Sequence, residues 1–150
     1  MKPSAHLIAS VKAHEGCILH TYLDTSGVVT WGWGHVSAGL KLGMSCTQAQ
    51  ADAWLAEDLE EAVDNVLAYL PWSAKLNMAR FDVLAEMCFN LGLHGLLGFP
   101  VMLARCKGGN YAGASSAMLF NAPGMPTKWY SQVKGRAATL ALQMKTGVYG

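Results

Sequence analysis

The sequence predicts an α+β fold with three parts: a small antiparallel sheet in an N-terminal lobe, a long connecting helix, and a mainly helical C-terminal lobe. Three observations carry this. Between Leu19 and Val36 the residues Tyr22, Val28, Val29, Thr30, Trp31 and Trp33 favour strands, with a turn signal at Thr25-Ser26-Gly27. From Thr47 to Pro71 the apolar residues Trp54, Leu55, Leu59, Ala62, Val63, Val66, Leu67 and Leu70 recur at helical spacing. Beyond Pro71 the pattern stays helical, and glycine or proline punctuates each gap.

In chain order, Pro3 and Ser4 open a helix over 3–14 whose apolar face is Leu7, Ile8 and Val11, with Gly16 as its stop and Glu15 at its end. The hairpin follows. Thr47 and Gln50 form a capping box at the start of a helix over 47–70. Six of the ten acids (Asp52, Glu57, Asp58, Glu60, Glu61, Asp64) ride on that helix and read as a solvated outer face. A further helix runs over 75–90 to Gly92, and shorter ones lie near 100–106, 111–120 and 135–145. The expected core includes Leu7, Val11, Trp54, Leu59, Val66, Leu84, Met87 and Trp129. A cleft between the lobes is the natural place for a ligand.

At 150 residues, 52% of them apolar and 14% charged, the chain has the profile of a well-buried globular protein and not of a disordered one. The net charge of +1 hides a split: residues 1–74 carry Lys2, Lys12 and Lys41 against eight acids, whereas residues 75–150 carry eight basic residues against Asp82 and Glu86. A basic half of this kind is attracted to polyanions such as an anionic cell envelope, unless it is simply solvated lysine surface. Cys17, Cys46, Cys88 and Cys106 form no C-x-x-C pair and read as buried free thiols. No run approaches the roughly 20 apolar residues of a membrane span, and the N-terminus does not read as a signal peptide or anchor.

With the acidic helix face set aside, Glu15, Asp24, Asp82 and Glu86 remain, and only the first two fall at element boundaries. At a helix C-terminus unpaired carbonyls disfavour a carboxylate, so Glu15 is suited to hold and donate a proton. Asp24 in the hairpin turn is more solvated and suited to stay ionised. That division of labour is what glycoside hydrolysis needs, and the Thr30 hydroxyl is placed to hold the attacking water with Asp24. The spacing alone would arise by chance in about 2% of chains this long.

The surrounding residues are more specific. The segment HEGCILHTYLDTSGVVTWGWGHV (14–36) resembles the active-site segment of the phage lysozyme (endolysin) family, the T-even type muramidases of glycoside hydrolase family 24. Glu15-Gly16, Tyr22, Asp24, Gly27, Thr30, Gly32 and Gly34-His35 match in one ungapped register. The likeness continues, more weakly, through FNLG (89–92), GGNYAGASSAM (108–118) and WYSQVKGRAATLALQMKTG (129–147). It implies a single catalytic domain over 1–150, with an N-terminal lobe over about 15–46, a connecting helix over 47–70 and a helical lobe of 71–150 plus helix 3–14. It also implies a cofactor-free, monomeric muramidase cleaving peptidoglycan between N-acetylmuramic acid and N-acetylglucosamine. Such an enzyme is made in the bacterial cytoplasm and reaches the wall at lysis with the help of a holin. By the same resemblance Glu15 is the proton donor and Asp24 with Thr30 positions water. Phe89 and Asn90 contact sugar, Trp129 anchors the C-terminal lobe, and Arg136 approaches Glu15 and tunes its acidity. Two departures stand out: Ala137 replaces a second arginine that many relatives carry, and Phe99-Pro100-Val101 stands where relatives often have small hydroxyl residues.

Other readings are weaker. His14, Cys17, His20 and His35 have loose zinc-ligand spacing but no H-E-x-x-H, and His35 reads better as a buried, hydrogen-bonded imidazole. The basic half with Trp72, Tyr111, Trp129 and Tyr130 lacks the interleaving of a nucleic-acid groove. A non-catalytic envelope-binding protein and a lytic transglycosylase acting on the same polymer are the remaining alternatives; Asp24 and Thr30 favour hydrolysis over the latter.

Overall fold

The computed structural model describes all residues, 1–150, and the chain divides into two compact units, Met1–Glu61 and Ala62–Gly150.

The first unit begins with α1 (Ala5–His14), capped where Ser4 Oγ accepts the Leu7 N–H at 3.0 Å. Leu7 and Val11 are its buried face. The helix stops because Glu15 turns extended (φ −95°, ψ 142°) while its N–H still bonds Val11 O at 2.7 Å. Strands β1 (Ile18–Leu23) and β2 (Val29–Gly32) pair antiparallel, with Tyr22 opposite Thr30 and a register shift between Ile18 and Tyr22. A second backbone connection pairs His20 with Ser45, which ties the long loop after β2 back onto β1.

Helix α2 (Gln48–Tyr69) starts in the first unit and ends in the second. The expected capping box is present: Gln50 N–H donates to Thr47 Oγ1 at 3.1 Å and Thr47 N–H to Gln50 Oε1 at 2.9 Å. Within the first unit α2 buries Ala51, Leu55 and Leu59. Trp54, expected in the core, is instead half-buried, because its ring is used at the edge of the unit, stacked on Trp31 at 4.8 Å and on His35 at 5.0 Å.

The second unit is helical. After a 3-10 turn (Pro71–Lys75) come α3 (Met78–Leu97), α4 (Pro100–Lys107), α5 (Tyr111–Leu119), α6 (Lys128–Val133) and α7 (Gly135–Thr146). Helix α3 is broken at Gly92 (φ 77°, ψ 163°), a backbone state open to glycine and costly for other residues. That break is where the sequence places a helix end; the short segment beyond it was not expected. Also unexpected is a small exposed hairpin, β3 (Phe120–Ala122) with β4 (Met125–Pro126), inside what the sequence reads as the approach to a helix. The core of this unit is apolar, with Val83, Leu84, Met87, Leu96, Met102, Met118, Leu140 and Met144 fully buried. Ala137 belongs to the same buried set, so a small apolar side chain is what that position accommodates.

Two acids lie inside this core. Glu86, 1% exposed, accepts from Arg136 Nε at 3.0 Å, and Asp82 accepts from the Tyr149 hydroxyl at 2.6 Å. A buried carboxylate is tolerated only with such donors. All four cysteines are free thiols; Cys88 and Cys106 are buried as expected, whereas Cys17 and Cys46 are half-buried at the edge of the first unit. Burial pushes the Cys106 thiol up to about 11.

No single helix is long and apolar enough to cross a membrane; a bent pair, α3 with α4, passes on length and composition, and most of the first half of α3 is core.

Candidate functional site

Glu15, Asp24 and Thr30 all fall in the first unit, Glu15 at the end of α1 and the other two on the β1–β2 hairpin. Asp24 closes the turn with its own side chain: Oδ1 accepts the Ser26 N–H at 2.8 Å and the Val28 N–H at 2.9 Å. The main chain reinforces it, Asp24 N–H donating to Val28 O at 2.9 Å. The sequence places Asp24 in a turn; the structure adds that Asp24 builds the turn, so its carboxylate is fixed on one oxygen. Thr30 is buried at 3% exposure, and its hydroxyl donates to Val28 O at 2.9 Å, leaving the oxygen lone pairs as acceptors.

Tyr22 links the two carboxylates. It faces Thr30 across the hairpin, and its phenol is raised above its ordinary value by burial first and then by the negative charges of Glu15 and Asp24. One hydroxyl thus feels both acids. Gly34, at φ 82°, follows β2, and a Cβ there would lie 3.8 Å from Glu15 Oε2, so the Gly34 backbone borders the Glu15 carboxylate directly.

The flanks of the site are fastened by α2. His35 Nδ1 lies 2.8 Å from Asp58 Oδ2, with the imidazole side chain 14% exposed, which agrees with a hydrogen-bonded imidazole beside the Gly-rich strand. Burial pushes the Asp58 carboxyl up, opposed by the hydrogen bond and charge of His35. The Asp52 carboxylate receives the Trp33 indole N–H at 2.8 Å and the Gln48 amide at 3.0 Å, with Lys12 Nζ at 3.5 Å. Those two hydrogen bonds and the ammonium hold it below the ordinary carboxylate value.

These two acids correct the reading of α2 as carrying one uniform solvated acidic face. The signal was available. At roughly 100° per residue, Asp52 and Asp58 fall on the flanks of the stripe defined by Ala51, Leu55 and Leu59, whereas Glu57, Glu60, Glu61 and Asp64 fall on its far side. Grouping the acids by count instead of by helical phase hid this.

The other expected site residues lie in the second unit. Phe89 and Asn90 end the first stretch of α3, both half-buried, and Asn90 Oδ1 accepts from the Trp129 indole at 2.8 Å. Trp129 is 3% exposed and meets Phe99, the residue before α4, edge-on at 6.1 Å. Arg136 holds Glu86, as described above. No group of three or more histidine, cysteine or acidic side chains converges as a metal site would require.

The phage lysozyme family model matches residues 12–139, and the chain belongs to that family. It is 31% identical over 111 residues to an endolysin of Acyrthosiphon pisum secondary endosymbiont phage 1, covering 73% of this chain and 72% of the relative. It is 30% identical over 123 residues to the endolysin of Salmonella phage P22, covering 79% and 82%. Among solved structures, the endolysin from Escherichia coli O157:H7 phage FAHEc1 aligns over 100% of this chain and 97% of its own, with a TM-score of 0.79 and 25% identity. The protein is a lysozyme-type cell-wall hydrolase of the endolysin group.

Proposed function

We propose that this protein hydrolyses the β-1,4 bond of peptidoglycan between N-acetylmuramic acid and N-acetylglucosamine, with Glu15 as general acid and Asp24 and Thr30 holding the attacking water. The observation that supports this most is geometric: Tyr22, next but one to Asp24, pairs with Thr30 across the hairpin, and the Gly34 backbone just past β2 borders Glu15 Oε2. One acid must protonate the leaving oxygen while the other group directs water at the anomeric carbon.

The hydrogen bonds around the turn favour the second role for Asp24. Two backbone N–H groups on Oδ1 orient the carboxylate, and Oδ2 is the edge on which a water can place a hydrogen. The Thr30 hydroxyl has already given its hydrogen to Val28 O, so toward water it acts as an acceptor. A water donating one hydrogen to Asp24 and the other to Thr30 presents its lone pair outward to the sugar. On the second unit, the Asn90 amide hydrogens and the Phe89 ring are assigned to sugar contact, with the Asn90 oxygen held by Trp129. Release to the wall with a holin and a monomeric state complete the proposal.

The test is turbidity loss of purified cell walls. Glu15→Gln and Asp24→Asn are each expected to lose about 10²–10⁴-fold in rate, and near-parental lysis by either overturns the assignment. Mass spectra of the products should show reducing-end sugars; anhydro-sugar ends would instead assign a transglycosylase.

A further inference from the structure

We propose that Asp52 is a positioning residue for Glu15, a role that rests on Glu15 being the proton donor. Its single carboxylate joins three segments that surround Glu15. The first is α1, through Lys12, whose ammonium lies 3.5 Å from Oδ1. Lys12 sits in the last turn of α1, three residues before Glu15. The second is the turn after β2, through the Trp33 indole N–H at 2.8 Å; the next residue, Gly34, is the one whose backbone borders Glu15 Oε2. The third is the chain just after Glu15, through Gln48, whose amide nitrogen lies 3.0 Å from Asp52 Oδ1 and 3.6 Å from Cys17 Sγ.

The same cluster is closed by Lys12 lying over the Trp33 ring, 5.4 Å from its centroid. Three segments next to Glu15 are therefore tied to α2 through Asp52 and Gln48. Support matters at Glu15 because it is the residue at which the helix ends: its own backbone is extended, and its N–H makes the closing bond of the helix, to Val11 O. A proton donor must be held within a fraction of an ångström of the leaving oxygen, and a misplacement of about 1 Å costs on the order of 10²-fold in rate.

The experiment compares steady-state cleavage of purified peptidoglycan by the parent, Glu15→Gln, Asp52→Ala, Asp52→Asn, Trp33→Phe and the Asp52→Ala/Trp33→Phe pair, with folded fraction checked by circular dichroism. Asp52→Ala is expected to lose about tenfold in kcat per folded molecule with KM changed less than about twofold. Asp52→Asn keeps an oxygen acceptor for Trp33 and Gln48 and should recover most of the loss. The pair should lose no more than the worse single variant, since both cut the same connection. An unchanged kcat in folded Asp52→Ala, or in Trp33→Phe should the alanine variant not fold, overturns the positioning role, as does a loss that only follows the folded fraction. If the parent cleaves and Glu15→Gln cleaves equally, the assignment of Glu15 fails and this inference with it. If Glu15→Gln is inactive and Asp52→Ala matches the parent, only this inference fails.

Discussion

The two units hold themselves together differently. The second buries a broad apolar set, from Val63 through Met144, around two carboxylates that meet Arg136 and Tyr149. The first has a short apolar list, Leu7, Val11, Trp31, Ala51, Leu55 and Leu59, and closes its edges with polar ties: Asp24 on its own turn, Asp52 on Trp33, Asp58 on His35. Apolar packing is non-directional and tolerates change in proportion to volume. Hydrogen bonds fix direction as well as distance, which is what a pair of reacting groups requires. The unit that carries Glu15, Asp24 and Thr30 is the one with the smaller apolar core, and polar contacts close its edges.

The comparison is broken most severely from within the second unit. Leu84→Ala, at a fully buried position, should lower unfolding free energy by about 2–5 kcal/mol. Urea denaturation reads this, and activity per folded molecule should be unchanged. A smaller effect is expected at the start of α2. Thr47→Ala removes half of the capping box and should cost about 0.5–2 kcal/mol, detected as faster hydrogen exchange at Gln48–Ala51 before the rest of the helix.

In the opposite direction, Lys134 joins α6 to α7 with φ 44° and ψ −108°, the one non-glycine residue at positive φ. Lys134→Gly should raise the denaturation midpoint, with a gain of about 1 kcal/mol. The smallest expected effect sharpens the polar side of the comparison. The Asp52 carboxyl titrates below its ordinary value of 3.8 when folded, so its ionised form stabilises the fold above that value. The contribution is lost as pH falls below it. Stability of the parent minus that of Asp52→Asn, measured from pH 5 down to pH 3, should therefore shrink toward zero. A constant difference would mean that the charge contributes nothing.

Much of this was legible in the sequence because it depends on local rules. Ser4 and the Thr47–Gln50 pair announce helix starts, since unpaired N–H groups need an acceptor near at hand. The Thr25-Ser26-Gly27 turn and the strand residues beside it announce the hairpin. The β3–β4 hairpin escaped because Phe120–Pro126 contains a three-residue and a two-residue strand, too short for any alternation to register. Trp54 was misplaced because a large apolar residue on a helical stripe reads as core, and only its neighbours reveal that it stacks at an edge.

By itself, the sequence determined most of the helices and the β1–β2 hairpin, because backbone propensity, capping and turn formation act over a few residues. The tertiary structure alone decided which long-range partners the charged residues take. Asp52 and Asp58 turned to the hairpin while their neighbours Glu57 and Glu61 stayed in solvent, and Arg136 closed on Glu86 fifty positions away. A charge's partner depends on which elements meet and how much water they exclude, and neither is encoded at the position of the charge itself.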